Sequence, residues 1–147
     1  MVDKLATLSP EILHQEIPSS FPSLYATVVH MADVESIWWQ RMKLLERLDL
    51  PGETFGGDFD KLSTYWMESS QRWQAWVMGA SDGALEHVFA YQTFKKEYFK
   101  QPVYEVLTHL FNHQTYHRGQ LVTQMRIAGV DKIPATDFLL FARKKRS

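Results

Sequence analysis

Three histidines follow one another at intervals of four residues in the segment Leu107–Leu121, LTHLFNHQTYHRGQL. They are His109, His113 and His117, half of the six histidines in the chain. Residues four apart lie on one face of an α-helix, so either adjacent pair of imidazoles could chelate a metal ion. The two end histidines would be about 12 Å apart along the helix axis, whereas a metal–nitrogen bond is about 2 Å long. One ion can therefore take two of the three, and the spacing leaves open which end histidine is excluded.

Further ligands for a metal ion inside a helical protein come from a facing helix. His30, in the segment TVVHMADVE, is the candidate because it stands in mostly apolar surroundings. The chain has no cysteine, so only nitrogen and oxygen ligands are available, and imidazole suits zinc, nickel, copper and iron alike. Two histidines at this spacing are nevertheless more often surface or core residues than a metal pair. Asp33 could neighbour His30 and act as a base, although a solvated or ion-paired carboxylate is the commoner role.

Composition limits the classes of protein to which the chain can belong. A length of 147 residues with 45% apolar and 14% aromatic residues predicts one domain, 1–147, with a packed interior. A formal net charge of -1 argues against a nucleic-acid partner. Because no apolar run could cross a bilayer and no signal-like segment opens the chain, we expect a cytoplasmic protein without a membrane partner.

Apolar residues at intervals of three and four predict three long helices. Short helical pieces are expected at both ends, the last of them capped by Thr136 or Asp137. The segment 85–102 favours a small hairpin or an irregular excursion. An antiparallel helical bundle is the natural packing for such elements. The long helices are predicted from Leu24 to about Leu48, from Asp58 or Asp60 to the ASDGA segment, and from about Gln101 to Ala128, with Gly129 just beyond the last.

Two segments resemble the DinB/YfiT-like family. HLFNHQTYHRGQLVTQMRIAGVDKIPATDFLLFAR is similar to the family's signature helix, in which N-H-x-x-x-H-R-G-Q precedes a loop and an Asp-containing segment. SSFPSLYATVVHMADVESIWWQRM is similar to the family's second helix, whose histidine, here His30, is the remaining ligand. The resemblance extends from about Leu5 to Arg143. The positions matching the signature are Asn112, His113, His117, Arg118, Gly119, Gln120 and Asp137.

This resemblance implies an all-α, DinB/YfiT-like four-helix bundle with a shortened first helix. It also implies a site for a divalent ion, nickel or zinc above others, formed by His30, His113 and His117, and frequent homodimers. His109 then becomes a supporting or core residue. The remaining candidates around the ligands or in a substrate pocket are Gln120, Arg118, Arg41 and Trp38; ion pairing is the commoner role for each arginine.

The first helix departs from the family pattern, because only MVDKLATLS precedes the first break. Either the bundle tolerates the stub, or a partner subunit covers the gap, or the natural chain starts elsewhere; we expect a homodimer. The leading functional hypothesis is a metal-dependent transferase or hydrolase acting on a small molecule, with a low-molecular-weight thiol as the candidate cosubstrate. The alternative is a non-catalytic metal-binding bundle with a structural or sensing role. A third hypothesis, an interaction module, requires the tryptophans to be exposed.

Overall fold

The computed structural model describes residues 1–144, and over these residues the chain forms seven α-helices, one 3-10 helix and one two-stranded sheet. Within the described residues, no helix combines the length and the apolar character needed to cross a membrane. The elements, in chain order, are α1 (Val2–Leu5), α2 (Pro10–His14), α3 (Leu24–Met42), the 3-10 helix (Pro51–Thr54), α4 (Phe59–Gly79), α5 (Asp82–Glu86), β1 (Val88–Gln92), β2 (Tyr98–Pro102), α6 (Val103–Ile127) and α7 (Phe138–Lys144).

The three predicted long helices are present as α3, α4 and α6, but α3 ends at Met42 rather than near Leu48. Two features end it. Leu44 has a positive φ of 55°, a conformation that cannot continue a right-handed helix. The side-chain amide of Gln40 donates to the Asp49 carbonyl at 2.8 Å and accepts from the Asp49 N–H at 2.8 Å, which folds the loop back onto the helix.

Two other helix ends, the start of α4 and the end of α6, carry their signals in the sequence. Asp58 caps α4, accepting from the backbone N–H groups of Asp60 at 3.0 Å and Lys61 at 3.1 Å. The hydrogen bonds lower the pKa of Asp58. Gly129 takes a positive φ of 74° after α6, and the Val130 N–H bonds the Met125 carbonyl at 2.9 Å, which closes the last turn as a Schellman motif.

The predicted hairpin is an antiparallel pair of strands in which Val88 faces Pro102 and Gln92 faces Tyr98. Its turn is closed by the Thr93 N–H donating to the Glu97 carbonyl at 2.9 Å. The helix predicted to begin at about Gln101 begins at Val103, because Gln101 and Pro102 belong to β2. Helix α5 was not predicted; at five residues it is too short to show a helical period.

Contacts divide the chain into two units, Met1–Thr27 with the residues from Thr115 onward, and Val28–Gln114, and both α3 and α6 run continuously through a boundary. The predicted single domain 1–147 stays a prediction. In the first unit, Leu5, Leu24, Leu121 and Met125 are fully buried. Gln124 is also buried, where it accepts from the Thr27 hydroxyl at 2.8 Å and donates to the Phe21 carbonyl at 3.0 Å.

In the Val28–Gln114 unit, the hydrophobic core is built mainly from aromatic and branched side chains. None of the five tryptophans, all of which lie in this unit, is exposed, so the condition set by the interaction-module hypothesis is not met. The buried members of the core are Trp38, Trp73, Phe89, Val103, Val106, Leu107 and Leu110.

Candidate metal centre

Three imidazoles come together at one place, His30 from α3 and His113 and His117 from consecutive turns of α6. The Nε2 atoms of His30 and His113 are 3.1 Å apart, although the two residues are separated by 83 positions in sequence. One ring nitrogen of each histidine lies within 4.8 Å of those of the other two. His30 and His113 are partly buried and His117 is buried. The group could hold a metal ion.

The distances test whether these residues fit an ion. Two adjacent nitrogens bound to one ion at about 2.0–2.1 Å lie about 2.8–3.4 Å apart, with the short end of the range for octahedral and the long end for tetrahedral geometry. The 3.1 Å between His30 and His113 falls in that range. Without an ion, the same contact is a hydrogen bond in which one Nε2–H donates to the other Nε2, so an ion would replace a proton that the pair now shares.

Gln120 orients the imidazole of His117. The Gln120 side-chain nitrogen is 3.2 Å from the Ser20 hydroxyl and 3.0 Å from the Tyr116 hydroxyl, both of which can accept its hydrogens. The Gln120 oxygen faces His117 Nδ1 at 2.7 Å, so Nδ1 carries the hydrogen and donates. The Nε2 lone pair of His117 is thereby left for a ligand. Gln120 lies where its predicted role requires, whereas Ser20 and Tyr116 were not anticipated because nothing in their local pattern marks them.

His109 stands outside the group of three. It is exposed, and its ring centroid lies 5.9 Å from that of His113 and 5.6 Å from the edge-on ring of Trp38. It lines a cavity of about 180 Å³ together with Trp38, Tyr91 and Gln101. The structure thus places His109 beside Trp38, one turn before His113 on α6.

The two candidate arginines occupy different surroundings. Arg118 donates from Nη2 to the Thr115 hydroxyl at 2.7 Å, a bond within its own helix. Arg41 lies over the rings of Trp38 and Tyr91, at 4.8 and 5.2 Å from their centroids. In the part of the chain that the structure describes, no carboxylate pairs with Arg41, so the ion pair expected for it is not found.

The two carboxylates near His30 in sequence both have structural partners. Asp33 is half-buried and accepts from the Gly52 N–H at 2.8 Å; burial raises the pKa of its carboxyl, opposed by that hydrogen bond. Glu35 is buried, and its carboxylate accepts from the Trp66 indole at 2.9 Å and the Ser70 hydroxyl at 3.0 Å. The buried state of Glu35 was not predicted, although indole N–H groups in a core do require acceptors.

The chain is therefore a mostly helical protein with a candidate metal centre, which is formed by three imidazoles from two long helices. Residues 1–146 match the model of the DinB family, and the chain therefore belongs to that family. The resemblance read from the two sequence segments is confirmed.

Individual relatives agree with this assignment. The chain is 28% identical over 148 residues to Protein DinB of Bacillus subtilis (strain 168), a match that covers 95% of this chain and 83% of the relative. A crystal structure of a DinB-like protein from Bacillus cereus ATCC 10987 superposes with a TM-score of 0.70 at 21% identity, covering 92% of this chain and 87% of that one. The predicted all-α DinB-like fold with a small hairpin excursion is confirmed.

Proposed function

We propose that the chain binds a divalent metal ion through His30, His113 and His117 and acts on a small molecule as a metal-dependent transferase or hydrolase. The observation that carries the proposal is the approach of His30 to His113 across 83 positions of sequence. A pair of histidines on one helix needs no ion to explain it. A third imidazole from a second helix, with its nitrogen at a chelating distance, matches the way helical bundles build metal sites from side chains on facing helices.

Three neutral imidazoles are the ligand set of a catalytic centre, because they leave coordination positions open. A bound ion would lower the pKa of a water molecule or polarise a carbonyl group. Gln120 supports this role by holding the tautomer of His117. Nickel or zinc is the proposed ion, a low-molecular-weight thiol is a candidate cosubstrate, and a homodimer in the cytoplasm is the proposed setting.

One observation favours a second candidate function, a non-catalytic centre. His117 is only 5% exposed, and Gln120 ties it to Ser20 and Tyr116, so the group is well suited to cross-linking helices. In this case the ion would serve stability or sensing. The two functions share the same ligands and differ in whether a substrate reaches the ion.

The metal content of protein purified without a histidine tag tests the shared part of both functions. Wild type should hold about one equivalent of nickel or zinc, measured by mass spectrometry after dialysis, and His113→Ala should lose most of it. His109→Ala is the matched control, one turn away on the same helix, and should keep the ion. Equal and substoichiometric metal in wild type and His113→Ala would contradict the site.

Turnover separates the enzyme from the non-catalytic centre. The metal-loaded protein should transfer or hydrolyse at least one member of a panel of small electrophiles and esters, with and without low-molecular-weight thiols. The activity should disappear in His113→Ala and persist in His109→Ala. Full metal occupancy without turnover on any member of the panel would favour the non-catalytic centre.

A further inference from the structure

A cavity of about 660 Å³ lies in the Val28–Gln114 unit, apart from the three histidines. Its walls are Arg41 at the end of α3, the loop 44–48 that follows, and hairpin residues between 90 and 98. Small-molecule sites usually have volumes of about 300–1,000 Å³. The cavity therefore has the size for a small organic ligand.

Arg41 is held in this cavity by aromatic rings. Its guanidinium lies 4.8 Å from the ring centroid of Trp38, 5.2 Å from that of Tyr91 and 5.5 Å from that of Phe94. Its Nε is buried and has no hydrogen-bond partner among the described residues. Arg47 pairs with Asp49 and Lys61 pairs with Asp58, but Arg41 forms no such ion pair among residues 1–144. Arg41 is thus a partly desolvated cation for which the described chain supplies aromatic faces but no anion.

The electrostatics of the cavity favour an anion. Burial lowers the pKa of Arg41, because removal from water disfavours its charged form. An anion placed beside the guanidinium would offset that cost. The other charged residues that line the cavity are Arg47, Lys96 and Glu46, so the lining as a whole carries an excess of positive charge.

The apolar part of the cavity is open to water. Leu44 is 66% exposed, Phe94 67% and Tyr98 77%, and all three line the cavity. Exposed apolar side chains that lie together, rather than singly, are typical of ligand-binding and interaction surfaces. A ligand that covered them would need an apolar body as well as its charge.

We propose that this cavity binds a small aromatic carboxylate, with the carboxylate paired to Arg41 and the ring packed against Phe94 and Tyr98. A planar carboxylate can accept two parallel N–H bonds from a guanidinium. The aromatic walls favour a flat body over a branched one. The site is separate from the histidine group and does not depend on metal binding.

Binding of 2-naphthoate, followed by isothermal titration calorimetry, tests the proposal, with 2-naphthylmethanol and inorganic phosphate as comparison probes. Wild type should bind naphthoate at least tenfold more tightly than the neutral alcohol or phosphate. Arg41→Gln should weaken naphthoate at least tenfold, and Arg41→Lys should recover part of the loss. Arg72→Gln is the matched control, because Arg72 also stacks on a tryptophan, 5.3 Å from the Trp39 ring, but does not line the cavity.

Other results would overturn the proposal. Equal binding of the alcohol would show an apolar cavity without anion recognition, and equal binding of phosphate would show a charge effect without an aromatic site. Equal weakening by Arg72→Gln would mean that Arg41 has no special role. Should Arg41→Gln fail to fold by circular dichroism, Phe94→Ala decides, since its exposed ring can be removed without touching the core; unchanged affinity in that variant would reject the site.

Discussion

The side-chain amide of Gln120 forms hydrogen bonds through both its nitrogen and its oxygen. Its nitrogen is held by the hydroxyls of Ser20 and Tyr116, and its oxygen receives the Nδ1–H of His117. The arrangement fixes which nitrogen of His117 is available, so the residue acts on a metal ion only through the imidazole that it positions.

Replacement of Gln120 by leucine should therefore lower metal affinity by about 10–100-fold, the range typical for loss of a partner that orients a ligating histidine. Gln120→Glu keeps the acceptor oxygen and should retain most of the affinity. A zinc competition titration against a chelating dye measures both variants. Tyr116→Phe is the control, because it removes one support of the amide and leaves the bond to His117 intact. An unchanged dissociation constant for Gln120→Leu would rule out the positioning role.

The burial of three polar residues was not predicted from the sequence. Glu35, Gln114 and Gln124 are 6%, 6% and 1% exposed, each in a helix whose pattern marks polar positions as the solvent side. Gln114 donates to the Met31 carbonyl at 2.9 Å, a bond between residues 83 positions apart. Partners so distant in sequence leave no trace in a local period, so such burial could not be predicted.

The 3-10 helix lies very close to α3 at Gly52. A Cβ atom added at Gly52 would lie 2.5 Å from Val29 Cγ1 and 2.6 Å from Asp33 Oδ2, and the Gly52 N–H already bonds Asp33 at 2.8 Å. Glycine is required here for space. Its backbone approaches α3 so closely that any side chain would meet the helix.

Gly52→Ala should consequently lower the free energy of unfolding by about 1–3 kcal/mol, the usual cost of forcing an extra carbon into a packed contact. Urea denaturation measures the change. Gly83→Ala is the control: it lies in α5 with no atom within 4 Å of an added Cβ, and it should be neutral or slightly stabilising. Equal losses in the two variants would mean that Gly52 is not packed against α3.

Helix prediction succeeded where the chain carries local signals and failed where apolar residues have another use. Asp58 and Gly129 mark their helix ends by residue type, and both do so in the structure. Leu45 and Leu48 continue the spacing of α3, yet they lie in a loop and line the large cavity. A helical period cannot distinguish a core-facing leucine from one that lines a pocket, so the end of α3 was placed too late.

At the scale of the whole chain, only part of the candidate metal centre could be predicted from residue spacing. The spacing of His113 and His117 is visible in the sequence and indicates a chelating pair on one helix. The choice of this pair over His109 came from the family resemblance. His30 was a candidate third ligand already from its mostly apolar surroundings, and the resemblance supported it. The distance between His30 and His113 was not predictable, because the two residues are 83 positions apart and lie on different helices.

An ion held by residues from two helices should stabilise the whole chain, because only the folded state brings the ligands together. Zinc or nickel at about 100 times its dissociation constant should add about 2.7 kcal/mol to the free energy of unfolding. For a chain of this length that corresponds to a rise in Tm of roughly 5–10 °C. Scanning calorimetry with and without the ion measures the shift, and magnesium, which prefers oxygen ligands, should cause none. His30→Ala and His113→Ala should both lose the shift while His109→Ala keeps it; a shift of the same size in His30→Ala would place the ion elsewhere.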